Sequence, residues 1–209
     1  RPFISSFLRI IRIFALIIGI FLPGVYIAVA TYHQEMFPTV LLESIASATT
    51  NIPFPKAFEG LILLVIFEIL RESGTRLPRN IGSAVSIVGA IVIGQVAVDA
   101  GIAGAPMVII VSLTALSSFI IPNLTEFMTI YRLIILFTGA ILGLVGICPV
   151  IIIILAQLCS IESFGIPYLT IMNTNKKIKD FIFRYPLKSM KYRVDKITKE
   201  NIKRRGEEN

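Results

Sequence analysis

Carboxylates, guanidinium groups and a carboxamide set within apolar runs are the residues of this sequence whose chemistry most needs explaining. Glu59, Glu68, Arg71, Gln95, Asp99 and Glu126 all stand in or beside hydrophobic stretches. Such groups are costly in lipid, so they face partners, water or an ion path. Glu68 and Arg71 are three residues apart, where an acid and a base meet on adjacent helical turns, with Glu72 competing for the arginine. Beside this ion pair stands a sharper reading, in which Glu68 and Arg71 take part in gating or ion passage. Glu59 and Glu68 are nine residues apart and fall on opposite helix faces, so they cannot line one narrow path together. Gln95 and Asp99 share a face. Asp99 either solvates its helix end or joins Gln95 in an ion-conducting ring of an oligomer. Glu126 and Arg132 follow Ile121-Pro122-Asn123 and are expected in a loop at headgroup level.

Other chemistry is thin. There is one histidine, and the two cysteines, Cys148 and Cys159, lie eleven residues apart on one expected helix, roughly 16 Å along its axis. They cannot bridge each other there. No cysteine cluster, phosphate loop or Ser/His/Asp set is present, so the reading is not an enzyme and requires no metal or cofactor.

The elements that must carry these residues are blocks long enough to cross a bilayer. Of 209 residues 55% are hydrophobic and 16% charged, against about a quarter charged in soluble domains. Residues 8–31 read as a first span, with Arg9 and Arg12 placing its start in the cytoplasm. Residues 32–56 are broken by Pro38, Pro53 and Pro55, and 38–50 read either as a surface or re-entrant helix or as a loop. Residues 57–71 read as a helix of about fifteen residues, short for a crossing. The basic segment 71–80 follows, in the cytoplasm, and then a span over 81–100. There Ser83, Ser86, Gly89 and Ala90 form a small-residue stripe suited to close helix packing. A turn over Gly101–Pro106 leads into 107–121, and a long apolar run follows over 131–160. Within that run Gly139 and Gly143 make a GxxxG pair for packing, and either the run breaks at Pro149 into two half-helices or one of 57–71 and 107–121 is re-entrant.

The fold class is therefore all-α: a polytopic transmembrane bundle, residues 1–172, with about five apolar segments, one of them re-entrant or broken. Both ends look cytoplasmic by charge, which requires an even number of crossings. Residues 1–172 hold eight Lys/Arg and eight acids, so the net +7 sits in a basic tail over 173–209. In the tail Ile178, Phe181, Ile182 and Tyr185 fall at helical spacing among lysines and arginines. This suits a helix lying on anionic lipid rather than nucleic acid. The chain opens on Arg1-Pro2-Phe3 with neither a Met nor a cleavable leader pattern, which points to a further N-terminal portion.

Several ordered motifs carry a resemblance. Phe67-Glu68-Ile69-Leu70-Arg71-Glu72-Ser73-Gly74-Thr75-Arg76-Leu77-Pro78-Arg79 is followed by Ile81-Gly82-Ser83-Ala84-Val85-Ser86-Ile87-Val88-Gly89-Ala90 and Ile93-Gly94-Gln95. Leu22-Pro23-Gly24-Val25-Tyr26, His33-Gln34-Glu35-Met36, Ile120-Ile121-Pro122-Asn123 and Ser163-Phe164-Gly165-Ile166-Pro167-Tyr168-Leu169 agree with it. Together these runs closely resemble the A subunit of GerA-family spore germination proteins, over about residues 1–170. The resemblance implies a receptor component in the inner spore membrane, a bacterial cytoplasmic membrane, working with a transporter-like B subunit and a lipoprotein C subunit. It further implies A subunits assembled as pentamers around a nutrient-gated ion path, with nutrient bound mainly on the B subunit. Two departures stand out: the family's large cytoplasmic domain before the membrane part is absent here, and Ile171 stands where the family has a proline. Two other readings stay open, half of a secondary transporter with a midplane site at its broken helices, and a membrane anchor for a missing cytoplasmic signalling domain.

Overall fold

Prolines set the starts of the helices. In the computed structural model, which describes residues 2–76, 78–163 and 166–167, α2 (Thr39–Thr49), α3 (Lys56–Thr75) and α4 (Arg79–Asp99) each begin immediately after Pro38, Pro55 or Pro78. Proline has no amide hydrogen to lose and its φ is already near the helical value, so the position before or at a helix start suits it. α5 (Ala105–Ile120) carries Pro106 in its first turn, and a short 3-10 turn opens at Pro122 before α6 (Thr125–Ser160). The first helix, α1 (Pro2–Tyr32), contains Pro23 in its interior. After α4 the chain closes with Gly101 at φ 67°, where Ile102 N donates to Ala97 O at 2.9 Å and Gly101 N to Val98 O at 3.0 Å. That left-handed residue with its two reverse bonds is a Schellman stop, which glycine accommodates without a Cβ clash.

Residues 15–150 form one compact unit. Its core joins Tyr26, Ile27 and Ala30 of α1 to Ile45, Leu63, Leu64, Ala97, Met107, Val111 and Leu136 from the other five helices. Polar groups lie inside it: Glu59, Thr114, Ser117, Ser118 and Arg132 are buried. Large apolar side chains point outward, among them Ile17, Val65, Ile91, Leu116 and Ile141. This is the reverse of a water-soluble surface and suits a helical membrane protein. Among the described residues two helices, α1 and α6, are long and apolar enough to cross a bilayer by length and composition. A second compact unit holds, of the described residues, the first turns of α1 up to Phe14 together with 151–163 and 166–167. It contains a minimal antiparallel pairing of β1 (Glu162–Ser163) with β2 (Ile166–Pro167).

Three expectations change. The helix expected over 57–71 runs for 20 residues, about 30 Å, because Glu72, Ser73 and Gly74 continue it to Thr75. The break in the last apolar run lies at Gly143, with φ 64° and ψ −151°, and Pro149 sits inside helix. Only a residue without Cβ adopts that backbone conformation at little cost, whereas proline in a helix of this kind is tolerated. Glu126 and Arg132 are not in a loop: Glu126 is exposed in the first turn of α6, and Arg132 is buried two turns in. The basic tail over 173–209 lies outside the described residues.

Candidate functional site

Pro23 opens a gap in the hydrogen-bond ladder of α1. A helical amide donates to the carbonyl four residues back, so proline at 23 leaves the carbonyl of Gly19 without its donor. In a low-dielectric interior such a carbonyl must find another partner. It finds Arg132, whose Nε donates to Gly19 O at 2.7 Å while Nη2 donates to Ser118 Oγ of α5, also at 2.7 Å. Arg132 is 2% exposed, so one guanidinium ties α1, α5 and α6 together in the interior.

Glu68 of α3 faces the same region. Its Oε1 takes a hydrogen bond from Arg71 Nη2, one turn on, and lies 3.2 Å from Thr129 Oγ1 of α6. Thr129 Oγ1 is also 2.9 Å from Thr125 O, and its single proton serves one of these acceptors at a time. Glu72 pairs with Arg76 at 2.9 Å on the surface. A groove of about 360 Å³ runs between α3 and α6, walled by Leu64, Val65 and Leu133 and bordered by Glu68, Thr129 and Arg132.

Near the start of α3 a second set of charges caps helix ends. Glu59 is 2% exposed, and its Oε1 accepts from the amide of Gly104, the residue that opens α5, at 2.7 Å. A carboxylate there satisfies an orphan amide and lies at the positive end of the helix dipole. Lys56 Nζ donates to Ala30 O at 2.8 Å, and Gln34 Nε2 to the same carbonyl at 3.1 Å, closing the end of α1. Farther along, the Tyr32 hydroxyl lies 2.8 Å from Ala140 O and 3.1 Å from Ile141 O, carbonyls just before the break at Gly143. The gap at Pro23 in α1 and the carbonyls before Gly143 in α6 are thus each met by a side chain reaching from the other helix.

Gln95 and Asp99 form a separate pair. Gln95 Nε2 donates to Asp99 Oδ1 at 3.0 Å, and both side chains are exposed on α4 beside Val88, Val92 and Val96. The structure joins Glu68 to Arg71 and Gln95 to Asp99 without bringing the two pairs together. Of the packing glycines, Gly89 lies against Leu70, and a Cβ at Gly139 would stand 2.6 Å from Gly24 O. Ala90 borders the seam of α3, α4 and α5, and the side chains of Ser83 and Ser86 lie outside the described residues. Sequence reasoning missed Arg132 as an interior residue. The available signal was its setting, with Ile130 and Tyr131 before it and Leu133 to Phe137, all apolar, after it.

The model of the Bacillus/Clostridium GerA spore germination protein family matches residues 1–196. The chain belongs to the GerA family. It is 45% identical over 205 residues to the uncharacterized membrane protein YfkQ of Bacillus subtilis (strain 168), covering 96% of this chain and 40% of that one. With spore germination protein KA of the same organism it shares 44% over 209 residues, 98% of this chain and 38% of the relative. Spore germination protein A1, also of Bacillus subtilis, is 38% identical over 189 residues, 88% of this chain and 39% of that one. This GerA chain therefore spans about 40% of the length of the curated relatives it matches. No solved structure matches it. The polar cluster around Glu68 and Arg132, the helix caps at Glu59 and Lys56, and the Gln95–Asp99 pair all fall within the stretch that the GerA family covers.

Proposed function

We propose that the chain is the membrane part of a spore germinant-receptor subunit that transduces nutrient sensing as an oligomeric, nutrient-gated ion channel in the inner spore membrane. The observation that carries this reading is the Gln95–Asp99 pair, exposed on α4 among Val88, Ile91, Val92 and Val96. An isolated copy would turn a carboxylate and a carboxamide toward lipid, which is unfavourable. A ring of copies, a pentamer on the family resemblance, turns the same face toward a shared aqueous path, where Gln95 and Asp99 bind and pass a cation. Transporter-like B and lipoprotein C subunits are the partners in this reading, and the basic tail holds to anionic lipid. The transporter alternative puts a midplane substrate site at the breaks around Gly101–Pro106 and Pro149; against it, Glu59 already takes the Gly104 amide and Pro149 stays within helix.

The test is cysteine labelling along residues 88–99 in the assembled full-length receptor, with Cys148 and Cys159 replaced, with and without nutrient. A labelled stripe that includes Gln95 and Asp99 and changes with nutrient is expected. Uniform protection of α4 in both conditions overturns the channel in favour of a packed anchor.

A further inference from the structure

We infer that Arg132 is a latch on a hinge in α1, released when its guanidinium exchanges Gly19 and Ser118 for Glu68 across the groove between α3 and α6. The hinge is Pro23: with no donor for the Gly19 carbonyl, the helix is free to bend there unless a side chain fills the gap. Arg132 fills it, and with its second bond to Ser118 ties this part of α1 to α5.

The pivot lies one to two turns along. A Cβ at Gly24 would stand 2.6 Å from Ile135 O, and one at Gly139 2.6 Å from Gly24 O, so the backbones of α1 and α6 touch there. Close backbone contact of this kind lets one helix rock on the other while the side chains around it change partners.

The alternative partner is already in place. Glu68 and Arg132 border the same groove of about 360 Å³, so the acidic group stands on the open side of the latch. Glu68 is held by Arg71 and Thr129 on Oε1, contacts that tolerate a second cation beside the carboxylate. Two sets of acceptors thus compete for one buried guanidinium, one neutral and fully satisfied, the other charged. That is the form of a two-state element that a distant event can bias. The latch stands on the geometry alone; its use in signalling rests on the receptor reading.

The test is a double-substitution cycle in the full-length protein reconstituted in phospholipid vesicles, with Cys148→Ser and Cys159→Ser. The reporter is Ile20→Cys, at a position 2% exposed beside Gly19. Its labelling rate by a membrane-permeant maleimide reads how often α1 opens. Arg132→Met is expected to speed labelling about tenfold with Pro23 in place, since a buried carbonyl loses the guanidinium that donates to it. In the Pro23→Ala protein the alanine amide takes that carbonyl, and Arg132→Met should change the rate less than about twofold. Glu68→Gln should slow labelling, because the open arrangement loses its charged partner. Equal effects of Arg132→Met in the two backgrounds, or no effect of Glu68→Gln, overturn the latch. Should Arg132→Met fail to fold, Ser118→Ala removes one acceptor only and runs the same cycle, with the same two outcomes deciding. Labelling that follows the cycle but ignores nutrient in the assembled receptor supports the latch and tells against the receptor reading.

Discussion

Glu59 shows how a buried ionisable side chain in an apolar setting is held by backbone as well as by a neighbouring charge, the amide of Gly104 and the ammonium of Lys56. Its position nine residues before Glu68 placed the two on opposite faces, and the structure agrees: Glu59 reaches the start of α5 while Glu68 reaches α6. What the spacing could not show is the acceptor's target, since Gly104 lies 45 residues away in a turn. The consequence is a graded response to substitution. Glu59→Gln keeps an acceptor for the Gly104 amide and loses only the charge at the helix dipole, about 1 kcal/mol. Glu59→Ala strands a buried amide and leaves a cavity, about 3 kcal/mol. Unfolding midpoints of the two variants in matched detergent should separate in that order; equal loss would mean that the carboxylate is held by its charge alone. Arg132 carries the same lesson in harder form. The partner it needs is created by a proline 109 residues earlier in sequence, and no local pattern links the two positions.

At the scale of elements, glycines that look alike in sequence do different work. Gly139 and Gly143 read as one packing motif, yet Gly139 meets the backbone of Gly24 whereas Gly143 sits at φ 64° as the break in α6, against Tyr32 and His33. Pro149 was the more visible breaker, and it stays within helix because a helix in an apolar bundle can forgo one amide when its neighbours remain in register. Helix existence and order were legible from hydrophobic run length and proline placement; the site of the break was not, because it depends on a backbone angle rather than on side-chain type. The packing difference is measurable. In Gly139→Ala the new methyl meets backbone, which cannot move aside, so a loss of about 2–3 kcal/mol is expected. In Gly89→Ala it meets the flexible end of Leu70 at 3.1 Å, and the gain in helix propensity, about 0.5–1 kcal/mol, offsets the contact. Chemical unfolding of both variants should give a marked drop for the first and little change for the second.

Across the whole molecule, helix direction and charge have to be reconciled. Gly19 meets Arg132, Gly24 meets Gly139 and Tyr32 meets Ala140, so α1 and the first part of α6 run the same way. Short connections make α3, α4 and α5 alternate between them, giving five passes by residue 142 if each crosses. The positive charge at Arg9 and Arg12 and in the tail, by contrast, asks for both ends on one side. The break at Gly143 offers the means: residues 144–160 are helical over about 25 Å, short for a full crossing but adequate for a tilted or sheltered return. Reporter cysteines at Ser5, Ser44 and Ser189, in a background without Cys148 and Cys159, put this to a direct test in intact cells with a membrane-impermeant thiol reagent. Ser44→Cys, on α2 beyond the end of α1, should label from outside, and Ser5→Cys and Ser189→Cys only after the membrane is opened. If Ser189→Cys instead labels together with Ser44→Cys, the chain crosses an odd number of times. Its basic tail then lies outside, and the charge rule gives way to the geometry of α1 and α6.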